Sequence, residues 1–574
     1  MSAAESAARP TVESATTPRE LADGYVYALA DHDTMVSSSL GLRPHDDRVP
    51  DFSPRAQTDK DELSRQVLAA LDRTESGAGE LAPTERRCAD LLRGRLTADL
   101  AMSEAGEHLR LVRNIFGPAD RIRTLLLMMP TGTAEDWATI ARRMAGTPES
   151  LRSYRQALDE GRRRQLFAAP RQVSTMIGQL DDWLAGDRSW FHTFVDGAPA
   201  DLDATVTAQL AAAADAAAGA VAELRSYLAD EYLPAAAGTP DAVGEQRYRV
   251  CAATAVGGSV DPAEAYAWGW QEYQRIWAQM RELAEQILPG ADPVAAMRHL
   301  DTAGAAVEGV EQVQQWLQQM MDTAIAKLDG THFDIAEPIK TVEARIAPPG
   351  SAAAPYYSRP SLDFSRPGRT WLPTLGRTRF PLYNLISTWY HEGVPGHHLQ
   401  LAQWTYQAPE LSVFQTTIGS SSGITEGWAL YAERLADELG FLDTEARIGY
   451  LDGQLFRAMR VIVDIGMHLQ LPIPDDSPIA PGQTWTPELA VEFFRAHSGE
   501  PEEYIDSEII RYLGWPGQAI SYKLGERAWL AGRAAARRAH AERGEDFDLK
   551  RWHRDALSLG AVRLDELTDT LAEL

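Results

Sequence analysis

Three histidines and a glutamate fall within eight residues of one stretch, His391-Glu392-Gly393-Val394-Pro395-Gly396-His397-His398. These are the side chains of hydrolytic zinc sites, where two imidazoles hold the ion and a neighbouring carboxylate takes a proton from water. In the usual arrangement the second histidine follows the first by four residues on a helix. Here that position is Pro395. On an unbroken helix, rising about 1.5 Å per residue, His397 would sit roughly 9 Å beyond His391, too far to share an ion at about 2.1 Å. The helix must therefore break or bulge. Proline removes a backbone donor, and glycine tolerates the turn that follows. A two-residue bulge makes His397 the second ligand; one more absorbed residue makes it His398, and His397 is favoured.

A third protein ligand completes such a site and leaves one position for water. Glu426 is the candidate, in Ser422-Gly423-Ile424-Thr425-Glu426-Gly427-Trp428-Ala429-Leu430-Tyr431-Ala432-Glu433. As a helix this segment puts Glu426 and Glu433 on one face, so Glu426 can reach the metal while Glu433 orients a ligand histidine from behind. A solvated acidic face is the plainer alternative.

Taken together, His-Glu-x-x-Pro-Gly-His-His-x-Gln and Thr-Glu-Gly-Trp-Ala-x-Tyr-x-Glu resemble the motifs of the DUF885 family of bacterial proteins, grouped with zincin-type metallopeptidases. Arg460-Val461-Ile462-Val463-Asp464-Ile465-Gly466-Met467-His468 and Trp515-Pro516-Gly517-Gln518-Ala519-Ile520-Ser521-Tyr522-Lys523-Leu524-Gly525 agree with it. The resemblance runs from about residue 20 and is most specific between 364 and 526. It implies a mainly α, large helical zincin-like metallopeptidase fold with a small β element beside the active-site cleft. It also implies a metallohydrolase site more firmly than any substrate.

On this reading His391, His397 and Glu426 hold Zn2+ and Glu392 is the general base. Tyr522 is the leading donor to a developing oxyanion, with Arg511 and His468 as others. Arg460, Arg511 and Lys523 are candidates for a substrate carboxylate, which would make the enzyme a carboxypeptidase or dipeptidase. Asp464 lies one helical turn from both Arg460 and His468 and could orient zinc ligands or belong to a surface ladder. Peptides are the expected substrates, a small amino-acid-derived amide the alternative. Two histidines and a carboxylate also suit a non-haem iron oxygenase, but Glu392 and the helical pattern oppose that.

These residues need a scaffold, and the rest of the chain reads as helices. A hydrophobic fraction of 44% over 574 residues supplies a large core. Residues 1–18 are polar and small and are expected to be a disordered tail; 19–330 read as a helical scaffold and 331–574 as the catalytic region, continuous with it. Leu210–Ala222 is an alanine-rich helix, and Asp261-Pro262 starts another. Residues 43–57 form a Pro- and Asp-rich loop, a solvated connection and not a metal site. Thr341–Ala347 alternates like a strand and Ser361–Phe364 opens a second extended stretch. An edge strand here would hold an extended peptide by main-chain bonds, a role assigned by the resemblance; Gly350–Tyr357 would line the cleft. The net charge of −27 argues against nucleic acid or an anionic membrane as partner. Two cysteines give no disulfide framework, and neither a secretory start nor a spanning segment is present, so a cytoplasmic protein is expected. Oligomeric state is not readable.

Overall fold

The computed structural model describes residues 10–43, 45–77, 79–348 and 354–574. Over the described residues the chain is mainly α-helical, with five short strands. It divides into two compact units, and the division falls at 243/244, not near residue 330.

The first unit comprises residues up to 81, 96–243 and 510–515. Its core is aliphatic and aromatic, built around Trp137, Ile140, Met144, Tyr154, Leu158, Val173, Leu180 and Phe191. The alanine-rich stretch is the helix Ala204–Tyr227, which buries Ala213, Ala214, Ala217, Ala220, Val221 and Leu224. Small side chains let it pack closely on the Ala134–Ala145 helix. Within the tail expected to be disordered, residues 1–9 lie outside the described residues. Residues 11–15 make a turn, and Thr17 caps the helix Pro18–His32. In the loop after residue 43, Asp46 accepts from Ser37 and Arg48, while Arg48 also binds the carbonyls of Ala30 and Asp31. That loop is a clamp on the preceding helices.

The second unit comprises 82–95, 244–509 and 516–574. The helix Pro262–Ile287 begins as its sequence implies: Asp261 accepts from the backbone of Ala263 and Glu264, and Pro262 occupies the first turn. It packs along Thr444–Leu469, a helix buried over most of its length. Cys88 and Cys251 are both buried free thiols.

The strands are β1 (Ala306–Glu308), β2 (Val342–Ile346), β3 (Tyr356–Ser358), β4 (Gly368–Leu372) and β5 (Arg379–Pro381). β1 and β5 pair antiparallel, and β2–β4–β3 form a sheet with β2 parallel and β3 antiparallel to β4. The alternating stretch is thus a strand. Ser361–Phe364 is not: Asp363 accepts from the Ser361 and Ser365 hydroxyls and the Ser365 N–H, closing a local turn, with Phe364 at φ +56°. The outer edge of β2 is capped by the Val310–Leu328 helix. Gln318 bonds Val342 O and Ala344 N, and Gln314 bonds Ala344 O. β3 therefore lies at the uncapped side of the sheet. Residues 349–353, part of the stretch expected to line the cleft, lie outside the described residues.

Candidate metal centre

The helix Leu382–Glu392 ends at the glutamate, and a second helix, His397–Tyr406, starts at the histidine. Between them the chain makes a tight turn with a cis Val394–Pro395 bond. The helix is interrupted outright, a larger departure than a bulge. Gly396 N–H donates to Tyr390 O, and the turn folds so closely that a Cβ on Gly396 would lie 1.9 Å from His391 O. Only glycine fits there. Trp428 holds the turn from the Ser422–Glu438 helix, its indole N–H 2.9 Å from Pro395 O and 3.2 Å from Gly396 O. On that same helix Gly427 packs on Gly525, where a Cβ would lie 2.5 Å from the Gly525 backbone. The glycines and tryptophan of these motifs thus set backbone distances, and the acidic residue beside them follows.

The consequence is a convergence of three side chains. His391 Nε2 lies 3.3 Å and His397 Nε2 3.6 Å from one oxygen, Glu426 Oε2. The two rings stand at 87° with centroids 4.7 Å apart. Ligand atoms about 2.1 Å from a tetrahedral ion sit about 3.4 Å from one another, so these spacings are those of a three-ligand set. Glu392 is the looser neighbour, its carboxylate within 4.8 Å of the ligand atoms of His391 and His397. It is buried, and among the described residues no group hydrogen-bonds its carboxylate. Burial raises its pKa above the ordinary carboxylate value, against the charges of His397, His391 and Arg457. Glu426 is also pushed up by burial, but hydrogen bonds and charge from both histidines hold it well below the usual range.

Glu433 stands behind the first histidine. Its Oε1 is 2.7 Å from His391 Nδ1, while Ser387 donates to Oε2 at 3.1 Å and Gln454 at 3.4 Å. With Nδ1–H given to Glu433, the Nε2 lone pair of His391 points at the cluster. Burial disfavours charge on this ring, but Glu426, Glu433 and Glu392 outweigh it and raise its pKa to about 9. His397 lacks the equivalent support: its Nδ1 is buried with no hydrogen-bond partner. His398 is turned away. Its Nε2 lies 2.7 Å from Ile339 O and its Nδ1 3.0 Å from the Tyr357 hydroxyl of β3. Burial lowers its pKa to about 4, so the ring is neutral, with both nitrogens engaged. The choice left open by the sequence falls to His397.

Other candidates are dispersed. Lys523 is fully buried and its ammonium donates to Glu272 at 2.9 Å, Gln454 at 2.8 Å and Glu526. An ammonium has three donors, so none remains for a substrate carboxylate. Asp464 accepts from the Tyr248 hydroxyl at 2.6 Å and Gly517 N–H at 2.9 Å, and His468 lies 4.0 Å from it. Both are fully buried. His468 is eleven residues along the helix from Arg457, the residue that reaches Glu433, hence about 16 Å away along the axis. The Asp464–His468 pair thus joins the Tyr248 helix and the Gly517 turn. Arg511 falls in the first unit, over the Tyr512 ring. Arg460 pairs with Glu508 at 2.7 Å, and its guanidinium lies 4.7 Å from the Tyr522 ring centroid.

Sequence reasoning passed over Ser387, Gln454 and Arg457. Gln454 links Glu433 to Lys523, and Arg457 approaches Glu433 Oε1 at 3.6 Å. Gln454 and Arg457 had one signal, position: with Arg460 they recur at three-residue spacing on the Thr444–Leu469 helix, and so share a face.

No helix of the described residues is long and apolar enough to cross a membrane. No functionally curated protein matches the chain. Solved structures that share its fold include two bacterial proteins. The "putative lipoprotein from Colwellia psychrerythraea" aligns over 96% of this chain and 98% of its own, with TM-score 0.82 at 22% identity. A "putative lipoprotein of unknown function" from Shewanella oneidensis aligns over 97% and 100%, with TM-score 0.71 at 16% identity. At those identities the likeness is one of fold alone. The family model for DUF885, described as a bacterial protein of unknown function, spans residues 35–571, and with nearly the whole length matched the chain belongs to the DUF885 family.

Proposed function

We propose that this protein is a zinc-dependent hydrolase of zincin-like plan that cleaves amide bonds in peptides. The observation carrying the reading is the meeting of His391 Nε2, His397 Nε2 and Glu426 Oε2 at 3.3 and 3.6 Å, with a buried and unbonded glutamate beside them. Two imidazole nitrogens and a carboxylate oxygen are a donor set that zinc favours in catalytic sites. His391, His397 and Glu426 would hold the ion, which when bound polarises water and carbonyl oxygen.

The chain's own groups supply the rest. Glu392, with its carboxylate unbonded and its pKa raised, accepts a proton from the attacking water and returns it to the leaving nitrogen. Glu433 keeps the His391 proton on Nδ1. Tyr522, flanked by the guanidinium groups of Arg457 and Arg460, offers a phenol to the negative charge that builds on the carbonyl oxygen.

Metal analysis of wild type and His391→Ala, beside peptide digestion by wild type and Glu392→Gln, tests the reading. About one zinc per chain, lost in His391→Ala, with cleavage abolished in Glu392→Gln, is expected. Bound zinc with no cleavage of any peptide would redirect the proposal to a small amino-acid-derived amide. Iron, or no metal, would overturn it.

A further inference from the structure

Arg457 has the character of half an interaction. It sits on the buried Thr444–Leu469 helix with only 19% of its side chain exposed. Its Nε is sealed from solvent and has no acceptor, and no hydrogen bond to the guanidinium exists among the described residues. Five donors in a planar fork, largely removed from water and unbonded, are costly to keep. The one ion pair does not answer this. Glu433 lies 3.6 Å away, beyond hydrogen-bond reach, and its oxygens already accept from His391, Ser387 and Gln454. Arg460, one turn along, differs: its charge is met by Glu508 at 2.7 Å.

Position makes the unmatched group relevant to the site. A single oxygen, Glu433 Oε1, lies 2.7 Å from His391 Nδ1 and 3.6 Å from Arg457 Nη2. The guanidinium carbon also lies 5.9 Å from the centroid of the Tyr522 ring. Terminal nitrogens Nη1 and Nη2 are not sealed off as Nε is. A planar acceptor with two oxygens fits such a fork best, and the acceptor that peptides always carry is their terminal carboxylate.

We propose that Arg457 binds the substrate's C-terminal carboxylate, so that the hydrolase removes residues from the C-terminal end of peptides. This rests on the hydrolase reading above. It also replaces Lys523, whose donors are all used internally. The same chemistry could come from an acidic side chain near the bond, and the test separates the two sources.

The experiment uses zinc-loaded Glu392→Gln, which should bind without turnover, and N-acylated tripeptides as free acids, as C-terminal amides, and as amides with an internal glutamate. Calorimetry should give about 100-fold tighter binding of free acids than of either amide. Arg457→Met in the same background should abolish that preference, and Arg457→Lys should restore part of it. With Glu392 intact, cleavage should follow the same order, and Arg457→Met should raise KM for free acids. Equal binding of acids and amides by the Arg457-intact protein, which needs no variant at Arg457, would overturn the proposal. Preference for the glutamate-bearing amide would likewise overturn it in favour of a side-chain carboxylate. Selective binding of free acids through Arg457 with no cleavage by the intact enzyme would leave the subsite standing and fail the hydrolase reading instead.

Discussion

The two units bury charge in different ways. In the first, the buried ionisable groups near the core have local explanations. Asp136 completes a capping box with Thr133, and Arg143 donates to Arg48 O at 3.0 Å and faces Asp46. Around them the core is aliphatic and aromatic. The second unit buries His391, Glu392, Glu433, Asp452, Lys523 and Glu526, none of which caps a helix. Buried ions are costly unless paired, and well-packed apolar residues often stabilise a core as much. A fold alone does not call for them. Their burial sets the second unit apart from the first.

The sharpest test of that contrast replaces a buried carboxylate by its isosteric amide. Glu392→Gln should lower turnover by about 10²- to 10⁴-fold, the range of a positioned general base, with zinc content and melting temperature near those of wild type. A variant that lost turnover and fold together would place Glu392 in the scaffold and erase the distinction between the units.

The next effect is on stability against pH. Asp452 is buried, and burial reinforced by Glu500 raises its pKa from 3.8 to about 8, although Gly499 N–H and Arg457 act the other way. Asp301, hydrogen-bonded by Tyr383, adds to the rise. In the unfolded chain this carboxyl loses its proton near pH 4; folded, it keeps it up to about 8. The contribution to stability is therefore fully present below pH 4 and is lost as pH rises to about 8, by at most about 1.4 kcal/mol per pH unit. Asp452→Asn should remove that slope, so that urea midpoints across pH 4 to 8 shift progressively in favour of the variant. An unchanged slope would mean Asp452 is ionised when folded and that the second unit carries its charge more cheaply than its burial implies.

These differences also explain what could be read from sequence. Local rules sufficed for Asp261-Pro262 and for the alanine-rich helix, because caps and propensities act within a few residues. They sufficed too for bringing His391, His397 and Glu426 together, since metal geometry constrains which residues must meet. They failed for Ser361–Phe364, where Asp363 closes a turn that a β-pattern does not register. Lys523, Asp464 and His468 failed for another reason. Their partners, Glu272, Gln454 and Tyr248, are distant in the chain, and nothing in residue type tells an internal ion pair from a substrate contact. Arg457 went unnoticed because an absent partner has no sequence signature.

A smaller effect concerns how far support for the site extends. Glu433→Gln keeps an acceptor for His391 Nδ1–H but removes the charge that fixes the ring, and zinc affinity should fall about 10- to 100-fold in chelator competition. Unchanged affinity would reduce Glu433 to a packing residue with a hydrogen bond.

The smallest effect belongs to the first unit. Thr133 accepts from Asp136 N–H at 3.2 Å and Asp136 from Thr133 N–H at 2.8 Å, so each satisfies a donor at the start of the Ala134–Ala145 helix. Thr133→Ala deletes one of those acceptors and should lower unfolding stability by about 1 kcal/mol. Because the buried carboxylate of Asp136 is accounted for by its own helix, zinc affinity and turnover should not move. A loss of zinc in Thr133→Ala would show that buried charge in this unit also serves the metal centre, and the contrast between the two units would then be one of degree.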